Sequence, residues 1–156
     1  MYLFKAGDQN ESMTGGWIEA TQRFGVAAIT DVALEAAAGT ANQNYNRVAF
    51  RTANPIDLND FKTIRATFAP ITRNHTNVNV AVGVAATAFA QGQLPGDSST
   101  VLSEPGKCMV GYTNTTSKQT ESFTLEYDIS AVNDSMYVVV YFGSVECGCM
   151  SVQLIP

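Results

Sequence analysis

Phe123-Thr-Leu-Glu-Tyr-Asp-Ile-Ser130 and Tyr137-Val-Val-Val-Tyr-Phe142 decide how this chain folds. In the first run, Phe123, Leu125, Tyr127 and Ile129 alternate with Thr124, Glu126 and Asp128. A period of two puts the apolar set on one face of a pleated strand. Asn133-Asp134-Ser135 interrupts the pattern. The second run is six β-forming residues in a row. Such a run predicts a strand buried on both faces, at the centre of a sandwich.

Working outward, the same period recurs. Val78, Val80, Val82 and Val84 share one face, with Asn79, Ala81 and Gly83 opposite. The small residues on that second face predict close packing or a concave, accessible surface. Ile64, Ala66 and Phe68 oppose Thr63, Arg65 and Thr67, and Pro70 ends the run. Val48 and Phe50 alternate within Arg47 to Arg51, and Met150, Val152 and Leu154 form a closing strand. Tyr2 to Phe4, Trp17 to Ala20 and Cys108 to Tyr112 read as shorter strands. Val26 to Glu35 reads two ways: as one strand, or as a short helix capped by Thr30 and ended by Gly39. The strand is preferred because the long neighbours all read β. Ala41 to Asn46 is a polar loop, Thr72 to Asn77 a hairpin-like loop, and Gln91 to Lys107 a long loop. About ten short strands with turn signals between them predict an all-β fold, a two-sheet antiparallel β-sandwich of jelly-roll type. No repeat or linker divides residues 1–156, so a single domain is expected.

Hydrophobic residues make up 46% of the 156, enough for a core, and charged residues only 15%. The net charge is −5 and no basic cluster is present, which argues against nucleic acid and anionic membrane surfaces as partners. Met1 to Asp8 lacks a signal-peptide layout, and no apolar run approaches the roughly 20 residues of a membrane span. A soluble protein made in the cytosol is therefore expected. Three cysteines, Cys108, Cys147 and Cys149, are an odd number and not a disulfide framework.

Three segments together carry a resemblance. They are Leu3-Phe-Lys-Ala-Gly-Asp8 with Met13-Thr-Gly-Gly-Trp17, Pro55-Ile-Asp-Leu-Asn-Asp-Phe-Lys-Thr-Ile64, and Phe123 to Ser130 with Tyr137 and the closing strand to Ile155. The pattern resembles the small β-sandwich modules of bacteriophage tail and other virion proteins, which are similar to carbohydrate-binding modules. It departs from them at Glu126-Tyr127, and at Gln9-Asn-Glu-Ser12, where the family's early-loop cysteine is absent. The resemblance implies a virion structural or accessory protein, a capsid decoration or tail-associated module. Its partners would be other virion proteins or further copies of itself in a homo-oligomer. It equally allows a host-attachment adhesin that binds surface glycans. No phrase in the resemblance is catalytic.

The residues themselves offer little enzyme chemistry. His75 is the single histidine, so any Ser-His-Asp or Cys-His mechanism must use it, yet it sits in a polar turn beside Asn74 and Asn77. Cys147-Gly-Cys149 is narrower than usual zinc-ligand spacing, and reduced, partly buried thiols are expected instead. No metal or cofactor is expected, apart from a Ca²⁺ site joining Asp8 or Asp128 to loop carbonyls, which no Asp-x-Asp-x-Asp run supports. Asp57 and Asp128 read instead as turn or strand-end residues accepting backbone hydrogen bonds. Sugar binding usually needs an aromatic platform and amide or carboxylate side chains. Asn42, Asn44 and Tyr45 offer that combination in one loop, and Arg73, Asn74 and His75 offer a second polar loop. The competing reading is a solvated loop with one packed tyrosine. Trp17 is assigned to the core.

Overall fold

The computed structural model describes residues 1–7, 15–38, 46–94 and 101–156; the side chains of 38, 75 and 76 lie outside that description. Twelve strands and one helical turn are described: β1 Tyr2–Lys5, β2 Trp17–Gln22, β3 Gly25–Ile29, β4 Leu34–Ala38, β5 Arg47–Thr52, β6 Ile56–Asp57, β7 Thr63–Phe68, β8 Arg73–Ala85, β9 Gly92–Gln93, α1 Pro105–Cys108, β10 Gly111–Thr115, β11 Phe123–Asp128 and β12 Ser135–Ile155. The fold is all-β and jelly-roll-like, as the sequence predicts. Every pairing is antiparallel except β9 on β2.

The 21-residue strand β12 holds the molecule together. Its first half lies between β8 and β5 in a sheet ordered β10-β8-β12-β5-β2-β9. Its second half pairs with β7 on one side and with β4 and β1 on the other. The register shifts between Gly143 and Val145, where the strand passes from the first set of partners to the second. Val138, Val139, Val140, Tyr141 and Phe142 are all buried, which bears out the two-faced burial read from the sequence. Phe142 bridges the layers, edge-on to Phe50 of β5 at 6.1 Å and to Phe68 of β7 at 5.9 Å. Trp17 is in the same core, edge-on to Phe4 at 6.4 Å, with Nε1 donating to Leu3 O.

Several expectations are corrected. The closing strand is not separate, because β12 continues through Gly143-Ser144 as a bulge. Thr72 to Asn77 is not a hairpin loop. Arg73 and Asn74 already belong to β8, opposite Glu146 and Val145. Cys108 closes α1, and the strand expected there begins at Gly111. Gln91 to Lys107 carries β9 and the start of α1. Val26 to Glu35 is neither one strand nor a helix but the hairpin β3–β4. Thr30 Oγ1 accepts from the Val32 and Ala33 N–H groups in the turn, the polar role that suggested a helix cap.

β8 shows both outcomes expected of its small face. Val78, Val80, Val82 and Val84 enter the main core. On the other face, Ala81 and Ala85 join Ala20, Ala49, Val139 and Tyr141 beneath a cover of Phe89, Leu102 and Met109. Arg51 pins that cover to the sheet. Its guanidinium donates to the carbonyls of Phe89, Thr52 and Ala53 and lies over the rings of Phe89 and Tyr137. Towards Asn79 and Asn77 the cover stops, and the face opens.

Candidate functional site

Where the cover ends, a polar pocket of about 230 Å³ forms between Arg47, Asn77, Asn79, Ser103, Tyr141, Gly143 and Ser144. Register explains the assembly. Gly143 of β12 stands opposite Asn79 of β8 and Arg47 of β5, so the three share one sheet face. Gly143 leaves the floor open: a Cβ there would lie 3.1 Å from Tyr141 Cε1 and 3.5 Å from Asn79 Cβ. The bulge puts Ser144 at a φ of 57°, a left-handed conformation that a non-glycine residue holds at a cost. Ser144 N donates to Asn46 O at 2.8 Å, and Asn46 Nδ2 donates to Val145 O at 2.6 Å, so the bulge is held in place.

The pocket's polar groups are partly committed. Tyr141 donates its hydroxyl to Leu102 O at 2.9 Å, and Arg47 Nη1 donates to Ser103 O. Burial pushes the Tyr141 phenol up to about 12, against the pull of the Arg47 guanidinium, so it remains a neutral donor at physiological pH. Arg47 Nε and Ser103 Oγ are buried without a hydrogen-bond partner among the described residues. Such atoms in a native interior call for a ligand or ordered water. Outside the pocket, Asn114 Nδ2 donates to Asn79 Oδ1 at 3.0 Å. Tyr112, exposed, follows on the same face of β10.

Two other hollows differ in character. A groove of about 440 Å³ beside β4 is lined largely by Ala33, Ala36, Ala37, Ala69 and Pro70, with Glu35 and Glu146 at its edge. A shallow hollow of about 430 Å³ holds Lys62, Glu126 and Asp128. Glu126 is taken by Arg65 at 2.6 Å, and Glu146 by Arg73 at 3.5 Å. Asp128 Oδ1 accepts from Ser130 N at 2.8 Å, and the Ser130 hydroxyl and N–H hold its pKa below the ordinary value. Asp57 accepts likewise from Asn59 N. Both aspartates thus have the turn role read from the sequence. Among the described residues no three His, Cys, Asp or Glu side chains cluster for a metal. Cys147 and Cys149 lie in the main core, whereas Cys108 packs against the other cluster; all three are free thiols.

Of the sugar-binding candidates, Asn42, Asn44 and Tyr45 lie outside the described residues, as does the side chain of His75. Arg73 and Asn74 are exposed on β8 rather than in a loop. The ends of the two proposed loops do meet: Asn46 donates to Val145 O, and Asn74 pairs across from Val145. Sequence reasoning missed Arg47, Asn77, Asn79, Ser103 and Tyr141. The available signals were the amides interleaved with valines at 77–80 and the Gly143-Ser144 interruption of a strand run.

No protein-family model and no curated protein match the chain. Among solved structures, one aligned over 99% of this chain and 97% of its own is a carbohydrate-binding module, TmCBM27, described for specific mannan recognition. The identity is 8% and the TM-score 0.48, a likeness that carries no argument about ligand or mechanism. No helix among the described residues is long and apolar enough to cross a membrane.

Proposed function

We propose that this chain is a non-catalytic carbohydrate-binding module whose site is the polar pocket at Arg47, Asn77, Asn79 and Ser103. The observation that carries this reading is that two residues lining a pocket edged by two amides, Arg47 and Ser103, each hold a buried polar atom, Nε and Oγ, without a hydrogen-bond partner among the described residues. A sugar hydroxyl both donates and accepts, so one ring can satisfy a guanidinium donor, a serine hydroxyl and amide groups together. The pocket is smaller than the roughly 300–1,000 Å³ of drug-sized sites, which suits a single sugar ring. Asn114 and exposed Tyr112 continue the polar path for a longer chain, with Tyr112 as the stacking surface. The described residues that line this pocket include no carboxylate, whereas a glycosidase needs two facing each other.

The test is a glycan array followed by titration calorimetry. Asn79→Ala should weaken binding about tenfold, the loss of one hydrogen bond, and Gly143→Ala should weaken it at least as much by placing a methyl group on the pocket floor. Binding that survives both substitutions but falls with Tyr45→Ala would move the site to the 41–46 loop. A second reading is a module displayed on a phage particle through protein contacts. The sequence resemblance supports it, as does an apolar hairpin that the glycan reading leaves unused.

A further inference from the structure

Charge is what the polar pocket leaves unbalanced. Arg47 brings a guanidinium to its lining, and none of the other described lining residues is acidic. Among the described residues Arg47 has no ion-pair partner. Its Nη1 donates to a neutral carbonyl, Ser103 O, and its Nε is buried without a hydrogen-bond partner. The other arginines of β7, β8 and β5 are differently placed. Arg65 and Arg73 each face a carboxylate, Glu126 and Glu146. Arg51 is spent on three carbonyls and two rings. A half-buried cation without a counter-ion bears a desolvation cost that an anion beside it would offset.

Hydrogen bonding carries the same bias. Asn79 Oδ1 already accepts from Asn114 Nδ2, Ser103 O from Arg47, and Leu102 O from Tyr141. At the rim, Asn46 O accepts from Ser144 N. These acceptors each have a donor, whereas the Arg47 Nε–H, the Asn79 amide N–H groups and the Ser103 hydroxyl have donating capacity left among the described residues. Glu104 follows Ser103 in the chain but is exposed and forms no ion pair; its charge acts on the Tyr141 phenol through space. A neutral sugar supplies hydroxyls, which donate as readily as they accept. A carboxylate or sulfate supplies oxygens that only accept, and a guanidinium holds these more strongly than it holds a hydroxyl.

Resting on the carbohydrate-binding reading, we infer that the sugar this pocket takes is acidic: a ring whose anionic group, a carboxylate or a sulfate ester, sits against Arg47.

An array of matched glycans tests this. It holds hexuronate oligomers, the same oligomers with each carboxyl reduced to a primary alcohol, and sulfated forms of the reduced oligomers. Calorimetry on the strongest pair then gives the acidic-to-neutral affinity ratio, which should be about tenfold or more. Either acidic form winning supports the inference and tells which group carries the charge. Arg47→Gln should bring the ratio to about one, and Arg47→Lys, which keeps the charge, should recover part of it. Trp17 fluorescence confirms that each variant is folded. Glu104→Gln alters an exposed residue whose side chain makes no cap hydrogen bond. It should raise the ratio about twofold, and it decides the matter where Arg47→Gln does not fold. Neutral glycans bound as tightly as acidic ones, and weakened by Asn79→Ala, overturn the inference and leave the carbohydrate-binding reading standing. No glycan bound at all overturns both. A preference that survives Arg47→Gln overturns the inference, as does, where that variant is unfolded, a ratio indifferent to Glu104→Gln.

Discussion

Replacing Tyr141 by phenylalanine removes one oxygen and keeps the ring. The ring is buried and touches Ala49 and Ala81 across the sheet, so apolar packing is unchanged and no large cavity forms. The loss is the 2.9 Å hydrogen bond to Leu102 O. Leu102 is fully buried, and its N–H is already committed to Gln22 Oε1 at 2.9 Å. A typical hydrogen bond is worth about 1 kcal/mol net, and a buried carbonyl left without a donor costs about 1–3 kcal/mol. The expected destabilisation is therefore about 1.5 kcal/mol, or about 3–6 °C in Tm for a chain of this size. Urea unfolding followed through Trp17, the single tryptophan, measures it, with the slope m unchanged. The pH dependence is a second check. The folded phenol is raised to about 12 from an ordinary value near 10. Its stabilisation is fully present below pH 10 and lost as pH rises towards 12. The thiols titrate in both proteins and cancel in the difference, so the gap between wild type and Tyr141→Phe should be flat to about pH 9.5 and close above pH 10. A gap below about 0.3 kcal/mol, or one that does not change to pH 12, would refute the reasoning. The phenol would then be solvated by the pocket instead of holding the Leu102 segment onto the sheet.

Gly83→Ala should destabilise strongly. Its Cβ would lie 2.7 Å from Tyr112 Cα and would also meet the Gly111 carbonyl, so backbone must move at a cost of about 3 kcal/mol; a change under 0.5 kcal/mol in urea would contradict the close approach of β10 to β8. The thiols should be inert in the folded state. Burial raises Cys108 and Cys147 to about 12 and Cys149 higher still, so alkylation at pH 8 should add nothing in the folded state and three adducts in urea, as counted by mass. The stability these thiols contribute is complete below the unfolded value of 9.0 and lost as pH rises towards 12.

What was legible in the sequence was periodic. Phe123 to Ile129 and Thr63 to Phe68 each state their own inward face, because one face packs on the core and the other is more exposed; Val78 to Val84 states which face is bulky, although both of its faces are largely buried. Tyr137 to Phe142 declares burial on both faces by lacking that alternation. Asp57 and Asp128 were legible because an aspartate's side chain bonds locally, two residues on. The errors at the candidate site have one source, which is partners distant in sequence. Arg73 and Asn74 look like a loop until Glu146 and Val145 are laid beside them. Arg47 and Ser103, 56 residues apart, become neighbours only when β5 and the segment before α1 reach the same end of one sheet face. Cross-strand pairing of this kind leaves no mark on local composition.

The bulge at Gly143-Ser144 links the fold to the site. A 21-residue strand cannot serve two layers without a corner, and the irregularity at Ser144 supplies one. Across it Ser144 alone stands against residues 75–78 of β8, whose pairing resumes between Val145 and Asn74, while pairing with β5 ends at Gly143. Pairing therefore opens on the first sheet's polar edge, where Asn79, Arg47 and Ser103 already stand. Gly143 keeps the opening clear, and Asn46 fastens its rim with one bond from Ser144 N and one to Val145 O. The corner that closes the sandwich thus also makes the pocket. Its lining amides carry no core packing, since Asn77 is exposed and Asn79 half-exposed. Substitution at Asn77 or Asn79 can change what the pocket holds without disturbing Val78 and Val80, their buried neighbours on the opposite face. That separation is what a recognition surface on a fixed scaffold requires.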